Sequence, residues 1–482
     1  MKNGNSFSGS TEVFEWLSRF IHIDRGQSAK SFRLDRMELL TEMAGHPEVS
    51  APVIHVAGSK GKGSVTGMVT AMLEAWGMKT ARYTSPHVSE YRERITMGND
   101  FFDEGTYAAA GDELRETVEA LDDPAHKGYA LFHVESNSGE GEAPTFFELM
   151  TLYFFLCVRR ARCDAMVVET GMGGRLDATN VCDPLVSVIT AIELEHTEFL
   201  GETIPEIAAE KAGIIKPGRP LILSEQLPEA LEVFNRTAVE KGAPVLYFPE
   251  MVRLEGIRYD KQGTSFSLTT TMPPLFPAPL ELSISIPGEV QAMNAGLAVL
   301  AVKTAFPNIT GDAIRRGLKR FTLPARFERI RDDPPFVIDG AHTPRSTEFC
   351  ADTFTTLYGR GGILLFGCAA RKDALTMARL LAPQFSRIII TTPGTFKLSF
   401  PEQVYEIFKG VIGELRETGD APELPNQPEL TKQPNQPELI FIPDTAMAID
   451  RALELGKETG LPVLGIGSFY LAAEIRNRSR GT

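Results

Sequence analysis

Short runs of β-branched and aliphatic residues recur along the chain with longer helix-patterned segments between them. This alternation constrains the fold more than any other feature. Strands that follow one another through helices pair in parallel, because a parallel connection needs a crossover long enough to hold a helix. One series of runs is "PVIHVAG" (52–58), "DAMVVETG" (164–171), "PLVSVIT" (184–190) and "PLILSE" (220–225). Another is "PFVIDGAH" (335–342), "GILLFG" (362–367), "RIIITT" (387–392), "LIFIPD" (439–444) and "PVLGIG" (462–467). Between them "MPPLFPAPLELSISIPG" (272–288) reads as a short β excursion with proline turns. At 482 residues the chain is too long for one ordinary core. The expectation is an α/β protein of two domains, 1–321 and 322–482, the second with its own doubly wound sheet.

One stretch departs from this pattern. In "APELPNQPELTKQPNQPELI" the unit "PNQPEL" occurs at 425–430 and again at 434–439. Proline, glutamine and glutamate build no core, so 418–438 is expected to be a low-complexity, exposed insertion without a catalytic role. The formal net charge of −14 argues against nucleic-acid binding, which needs a basic surface. It leaves room for a local basic pocket and a small anionic ligand. The start, "MKNGNSFSGSTEVFEWLSRF", lacks the apolar core of a signal peptide. "LYFFLCV" (152–158) is too short to span a bilayer. The five cysteines form no C-x-x-C pair, which reads as reduced, buried thiols in a cytoplasmic protein without a zinc site.

Chemistry concentrates at the ends of the expected strands. "HVAGSKGKGSV" (55–65) runs from a strand through a glycine-rich turn into a helix from about Ser64 to Trp76. It fails the pattern G-x-x-x-x-G-K-[ST], since Val56 stands where that pattern has glycine and Gly63 separates Lys62 from Ser64. Its context still suits phosphate, with backbone N–H groups at a helix start, Lys62 for charge and a Ser64 hydroxyl. The plain alternative is a tight turn with solvated lysines. Glu169 in "ETGMGGRLDATN" (169–180) closes a strand, where a carboxylate suits Mg²⁺ as a hard donor. Arg175 and Asp177 in the same stretch would orient an anionic substrate and an amine, or pair with each other. His196 in "TAIELEHTEFLG" joins a metal site only if it lies near Glu169, and is otherwise structural. Lys211 in "IAAEKAGIIKPG" is either a snorkelling surface lysine or one whose charge is suppressed or chemically masked by burial. "TSPHVSEYRERI" (84–95) places Ser85 in a turn. Arg326 in "LPARFERI" and Asp339 and His342 in "VIDGAHTP" are candidates for nucleotide and phosphate contacts, with salt bridging as the alternative.

In this order these stretches, with "TFFE" and the closing "GSFYL", resemble the folylpolyglutamate synthase/dihydrofolate synthase family of the Mur ligase superfamily. The resemblance runs from about residue 12 to about residue 473 and leaves out the proline-rich duplication. The family's phosphate loop has a glycine between its lysine and its hydroxyl residue, as here, so the loop is expected to cradle phosphate. The resemblance implies an N-terminal P-loop ATPase-like domain and a C-terminal Rossmann-like glutamate-ligase domain, with the active site between them. It implies that Gly61, Lys62, Gly63, Ser64, Asn294, Arg326 and Asp339 contact ATP, with His342 by the phosphates. Ser85, Glu169 and His196 match Mg²⁺ ligands, two ions being expected, and Lys211 matches a lysine that related enzymes carry as a carbamate. Thr145, Arg175 and Asp177 match the folate or pteroate pocket, together with the loop around Ser31–Leu34. Lys62, Lys211 and His342 are the implied catalytic residues.

The implied reaction joins the amine of L-glutamate to the γ-carboxylate of a reduced folate. The acceptor carboxylate attacks the γ-phosphate of MgATP, and glutamate displaces phosphate from the resulting acyl phosphate. Dihydropteroate is a second acceptor to be considered. A monomer is expected by analogy with the family. The chain departs from the family at several positions: Ser59-Lys60 for the usual Thr-Asn, Glu195 for an aspartate before His196, Ala325 for a glycine, Thr343 for an asparagine, and Arg33 where glycine is frequent. Two rivals remain at this level: a Mur-type amino-acid ligase acting on a cell-wall precursor, and a nucleotide-binding scaffold without ligase activity. The second is disfavoured by the presence of Lys62, Glu169, His196 and Lys211 together.

Overall fold

The computed structural model describes residues 6–21, 33–123, 132, 143–271, 275–394, 398–418 and 437–480. Strands β1 (Val53–Ala57), β2 (Thr80–Tyr83), β3 (Ile95–Met97), β4 (Ala165–Glu169), β5 (Val186–Ile189), β6 (Leu221–Leu223) and β7 (Val245–Tyr247) form one sheet. Their order is β3-β2-β4-β1-β5-β6-β7. Neighbours run parallel apart from β3, which is antiparallel on β2. Every residue of β1 and β4 is buried. Burial on both faces explains why these strands read as near-continuous apolar runs rather than as alternating ones. From β1 the chain crosses to β2 on one side, and from β4 it crosses to β5 on the other. Ligands of open parallel sheets bind beyond the carboxyl ends of the strands at such a reversal.

Helices Ser10–Ser18, Leu34–Met43, Glu104–Glu119 and Phe146–Ala161 share a core with this sheet that includes Leu17, Met37, Leu114, Phe154 and Val168. A second cluster gathers Ala57, Ile189, Ile207, Leu221 and Phe234. The helix Lys62–Ala75 packs against Gly311–Arg320. Strands β8 (Val252–Asp260), β9 (Gly263–Thr270) and β10 (Leu280–Ile284) make a small sheet in the order β10-β9-β8.

The remaining strands are β11 (Glu328–Asp332), β12 (Pro335–Ile338), β13 (Gly362–Phe366), β14 (Phe385–Ile390), β15 (Glu438–Phe441) and β16 (Val463–Ile466). They form a six-stranded sheet ordered β11-β12-β16-β13-β14-β15, parallel except for β11 on β12. Contacts along the chain divide it into two units. One is Met1–Ile257, Ser265–Ile284 and Ala292–Phe321; the other is Arg258–Thr264, Ser285–Gln291 and Thr322–Thr482. The duplication at 425–439 lies almost wholly outside the described residues. Thr418 ends the helix Pro401–Thr418 and Glu438 opens β15, so both ends of the expected insertion belong to regular structure.

Candidate active site

At the end of β1 the chain turns through Gly58, whose φ of 142° lies outside the range of ordinary residues. A Cβ there would stand 1.8 Å from Thr190 Oγ1, so glycine is required for the close approach of the two strand ends. The N–H groups of Ser59 and Lys60 both donate to Ala191 O, at 2.9 and 3.2 Å, which fixes the loop against the segment after β5. Gly61, left-handed at φ 91°, precedes the helix Lys62–Ala75, and a Cβ there would lie 2.7 Å from Asn294 Oδ1. Five expected nucleotide residues, Gly61, Lys62, Gly63, Ser64 and Asn294, therefore lie in one unit, with Asn294 against Gly61. Lys62 folds back, its Nζ donating to Gly58 O at 2.8 Å.

Glu169 is the last residue of β4 and is paired in register with Val56 of β1. Its Oε2 would lie 3.5 Å from a Cβ on Gly63, so this buried carboxylate faces the start of the helix Lys62–Ala75. Ser85 follows β2 by two residues and the 190–196 segment follows β5, so the parallel sheet brings Ser85, Glu169 and His196 to one edge. His196 adopts the left-handed region, φ 48°, at the start of the short helix Thr197–Leu200. Hydroxyl and carboxylate oxygens fit Mg²⁺, which takes few protein oxygens and completes its shell with phosphate and water; the imidazole is the softer member of the set. Among the described residues no three His, Cys, Asp or Glu side chains form a metal-holding group.

Lys211 is no surface lysine. The helix Ile204–Ala212 opens with a reciprocal cap, Thr203 and Glu206 each serving the other's backbone N–H, and carries Lys211 in its last turn. The side chain is 1% exposed. Its Nζ donates to Gly58 O and to Glu195 Oε1, both at 3.0 Å. Lys62 and Lys211 thus share the Gly58 carbonyl. Burial pulls the Lys211 ammonium down to about 8, with Lys62 assisting and Glu195 opposing. Burial would raise the Glu195 carboxyl, but Lys62, Lys211 and Lys60 outweigh it and hold the group at about 2. Glu195 was not among the expected site residues. Sequence marked it only as a departure from the family, a carboxylate one methylene longer than the aspartate; its contacts with Lys60 and Lys211 join separate segments.

The other expected residues separate into distinct settings. Thr145 caps the helix Phe146–Ala161, its hydroxyl accepting from Glu148 N, while Glu148 pairs with the buried Arg36 at 3.1 Å. Arg175 and Asp177 do not pair with each other. Arg175 points outward to Glu210 at 2.8 Å, with more than half of its side chain exposed. Asp177 turns inward and accepts from Met172 N, Thr179 N and Thr179 Oγ1. Of the loop around Ser31–Leu34, Arg33 and Leu34 alone are described, and Arg33 pairs with Asp35.

In the second unit, Asp339 just past β12 accepts from Phe327 N and Ala341 N, both at 2.7 Å. Ala325 and Phe327 take positive φ, 53° and 43°, so the carboxylate holds the bend that presents Arg326. Burial pushes the Asp339 carboxyl up against the opposing charge of Arg326. The Arg326 guanidinium lies 4.2 Å from the centre of the Phe469 ring, and His342 lies 5.7 Å from the same ring. His342 Nδ1 meets Gly340 O at 2.7 Å; a carbonyl only accepts, so the proton is on Nδ1. Phe469 belongs to "GSFYL" and was assigned no role from sequence, yet it joins Arg326 to His342.

Residues 117–302 match the Mur ligase middle domain and residues 325–469 the glutamate ligase domain of Mur ligases. The dihydrofolate synthase/folylpolyglutamate synthase of Bacillus subtilis is 33% identical over 72% of this chain and 78% of that protein. The folylpolyglutamate synthase of Lacticaseibacillus casei is 31% identical over 77% and 83%. A crystal structure of Mycobacterium tuberculosis folylpolyglutamate synthase, complexed with ADP and AMPPCP, superposes with a TM-score of 0.80 at 27% identity, covering 98% of each chain. With a glycine-rich strand-end turn, a buried strand-end carboxylate and a buried lysine on one sheet, the chain belongs to the folylpolyglutamate synthase/dihydrofolate synthase family of the Mur ligase superfamily.

Proposed function

We propose that this protein is an ATP-dependent ligase that joins L-glutamate to the γ-carboxylate of a reduced folate, releasing ADP and phosphate. The observation that carries the reading is the edge of the first sheet, where Glu169 faces Gly63 while Lys62 and Lys211 converge on Gly58 O. An acceptor carboxylate and a triphosphate repel each other, so their reaction needs cations and oriented N–H groups in a water-poor site. Lys62 donates to a carbonyl of its own loop, a bond that it would exchange for one to a phosphate oxygen. Ser64, Ser85, Glu169 and His196 would hold Mg²⁺, which supplies charge neutralisation on the phosphates when bound. The acceptor carboxylate attacks the γ-phosphate, the β–γ bond breaks and ADP leaves. The glutamate amine then displaces phosphate from the acyl phosphate and loses a proton.

Lys211 has two routes to this chemistry. As an ammonium it pairs with Glu195; as the free amine favoured by burial it would add CO₂ to give a carbamate and a proton. The carbamate reading rests on family resemblance and on the lowered Lys211 pKa, and ¹³C spectra with labelled bicarbonate would reveal it. Arg326, Asp339 and His342 are proposed nucleotide and phosphate contacts of the second unit. Arg175 and Asp177 are proposed to belong to the acceptor-side loop, and a cytoplasmic monomer is proposed by analogy. Relatives named for both activities favour dihydropteroate as a second acceptor.

The test is ADP release with MgATP and L-glutamate, comparing tetrahydrofolate, dihydropteroate and no acceptor. Stimulation by tetrahydrofolate, absent in Lys62→Met and Glu169→Ala, is expected. Stimulation by dihydropteroate as well would establish both activities. No stimulation by either acceptor would overturn the folate reading.

A further inference from the structure

His55 is the anomaly of the first sheet. It is fully buried in the middle of β1, between β4 and β5, where every other residue is apolar. A buried imidazole is retained at a cost, and its hydrogen bonds show what it does. Nε2 lies 2.8 Å from Thr179 Oγ1, while Nδ1 has no partner among the described residues. Thr179 Oγ1 in turn lies 2.5 Å from Asp177 Oδ1.

The direction of this chain follows from proton counting. Asp177 accepts the backbone N–H of Met172 at Oδ2 and of Thr179 at Oδ1, so its surroundings present donors. The single hydroxyl proton of Thr179 therefore points at the carboxylate. Thr179 Oγ1 is left only as an acceptor toward His55, so Nε2 carries the imidazole proton and Nδ1 is bare. Three links run from the strand that bears the phosphate loop: His55 to Thr179, Thr179 to Asp177, and Asp177 to Met172 N. The last clamps the turn that begins directly after Glu169. Asn180 adds side-chain donation to Arg175 O at 3.0 Å and Gly213 O at 3.2 Å.

We propose that His55 is a positioning residue for the acceptor: its Nε2–H, relayed by Thr179, fixes Asp177 and with it the loop 171–177. This rests on the reading that the loop lines the acceptor pocket, and extends it by naming what sets the loop's place. Loss of the donor releases the loop without touching the phosphate loop's own contacts: Ser59 and Lys60 N–H to Ala191 O, the Ser59 hydroxyl to Glu193 O at 3.1 Å, and Gly61 against Asn294. A misplacement of about 1 Å in a positioning element can cost about a hundredfold, and here it would fall on the acceptor side.

Steady-state kinetics of His55→Leu, His55→Gln and His55→Asn, with Asp177→Asn alongside, test this. In Gln the amide nitrogen reaches the Nε2 position, whereas in Asn it falls at the Nδ1 position. The expected result is an acceptor KM raised about tenfold or more in Leu and Asn, with the ATP KM unchanged and Gln within about threefold of the parent. Should Leu fail to fold, the Gln-against-Asn contrast carries the test. An unchanged acceptor KM in Leu and Asn, a parallel rise in both KM values, or Gln no better than Asn would overturn the proposal. ¹⁵N spectra provide a readout independent of activity: a neutral His55 protonated at Nε2 is expected, and protonation at Nδ1 would overturn it. If Asp177→Asn leaves the acceptor KM unchanged, the acceptor-loop reading itself fails. If it raises that KM while the His55 variants do not, the proposal for His55 fails alone.

Discussion

A buried histidine leaves a thermodynamic signature as well as a kinetic one. Burial, assisted by the positive charge of Lys216, lowers the His55 pKa to about 3 from an unfolded value of 6.5. The folded state therefore refuses a proton that the unfolded state takes. Stability from the neutral imidazole is fully present above pH 6.5 and lost as pH falls toward 3. Each pH unit in that window costs about 1.4 kcal/mol, so the loss from pH 6.5 to pH 5 is about 2 kcal/mol. Urea unfolding of the parent and of His55→Gln at both pH values checks this. The parent should lose more stability on acidification by the equivalent of one proton, whereas equal pH slopes would mean that His55 titrates normally in the folded chain. Lys211 and Glu195 illustrate the complementary case, in which a buried ammonium is held by a partly buried carboxylate.

At the scale of single elements, the helix Phe146–Ala161 is held at its start by the capping box of Thr145 and Glu148 and by the ion pair of Glu148 with Arg36. Both partners are almost fully buried. Arg36 also donates from Nη2 to Ala143 O at 2.6 Å and lies over the Phe132 ring. Removing one member of a buried pair leaves the other charge uncompensated, which costs about 3 kcal/mol or more. Glu148→Ala should therefore lower the unfolding free energy by that amount, seen as a lower urea midpoint at an unchanged slope. The double change Arg36→Met with Glu148→Leu should cost less than either single change, because no charge is stranded. A double variant as unstable as the sum of the singles would show that the pair is not coupled.

Across the whole molecule, what was legible in the sequence was what is encoded locally. The β-branched runs gave the parallel cores of both sheets because strands buried on both faces are apolar throughout. β2 and β3 escaped because "TARY" and "ITM" are short and partly polar, and β8 because its exposed face breaks the apolar pattern. The turn from β1 into the helix Lys62–Ala75 was readable from its glycines, and the strand-end place of Glu169 from the apolar run before it. The contacts of Glu195 with Lys211, of His55 with Thr179 and of Arg326 with Phe469 join separate segments, so pattern alone held no trace of them. The two units each hold a sheet with its own buried residues, and two calorimetric transitions are accordingly expected. A ligand that binds the folded chain at about a hundred times its Kd adds about 2.7 kcal/mol of stability. MgAMPPCP should raise the transition of the unit carrying β1 by the equivalent amount. Lys62 is only half-buried and its present partner is a loop carbonyl, so Lys62→Met should leave the ligand-free transition in place and abolish the shift. A shift of the same size in the variant would remove Lys62 from the phosphate contacts and leave the N–H groups of the loop as the main anion site.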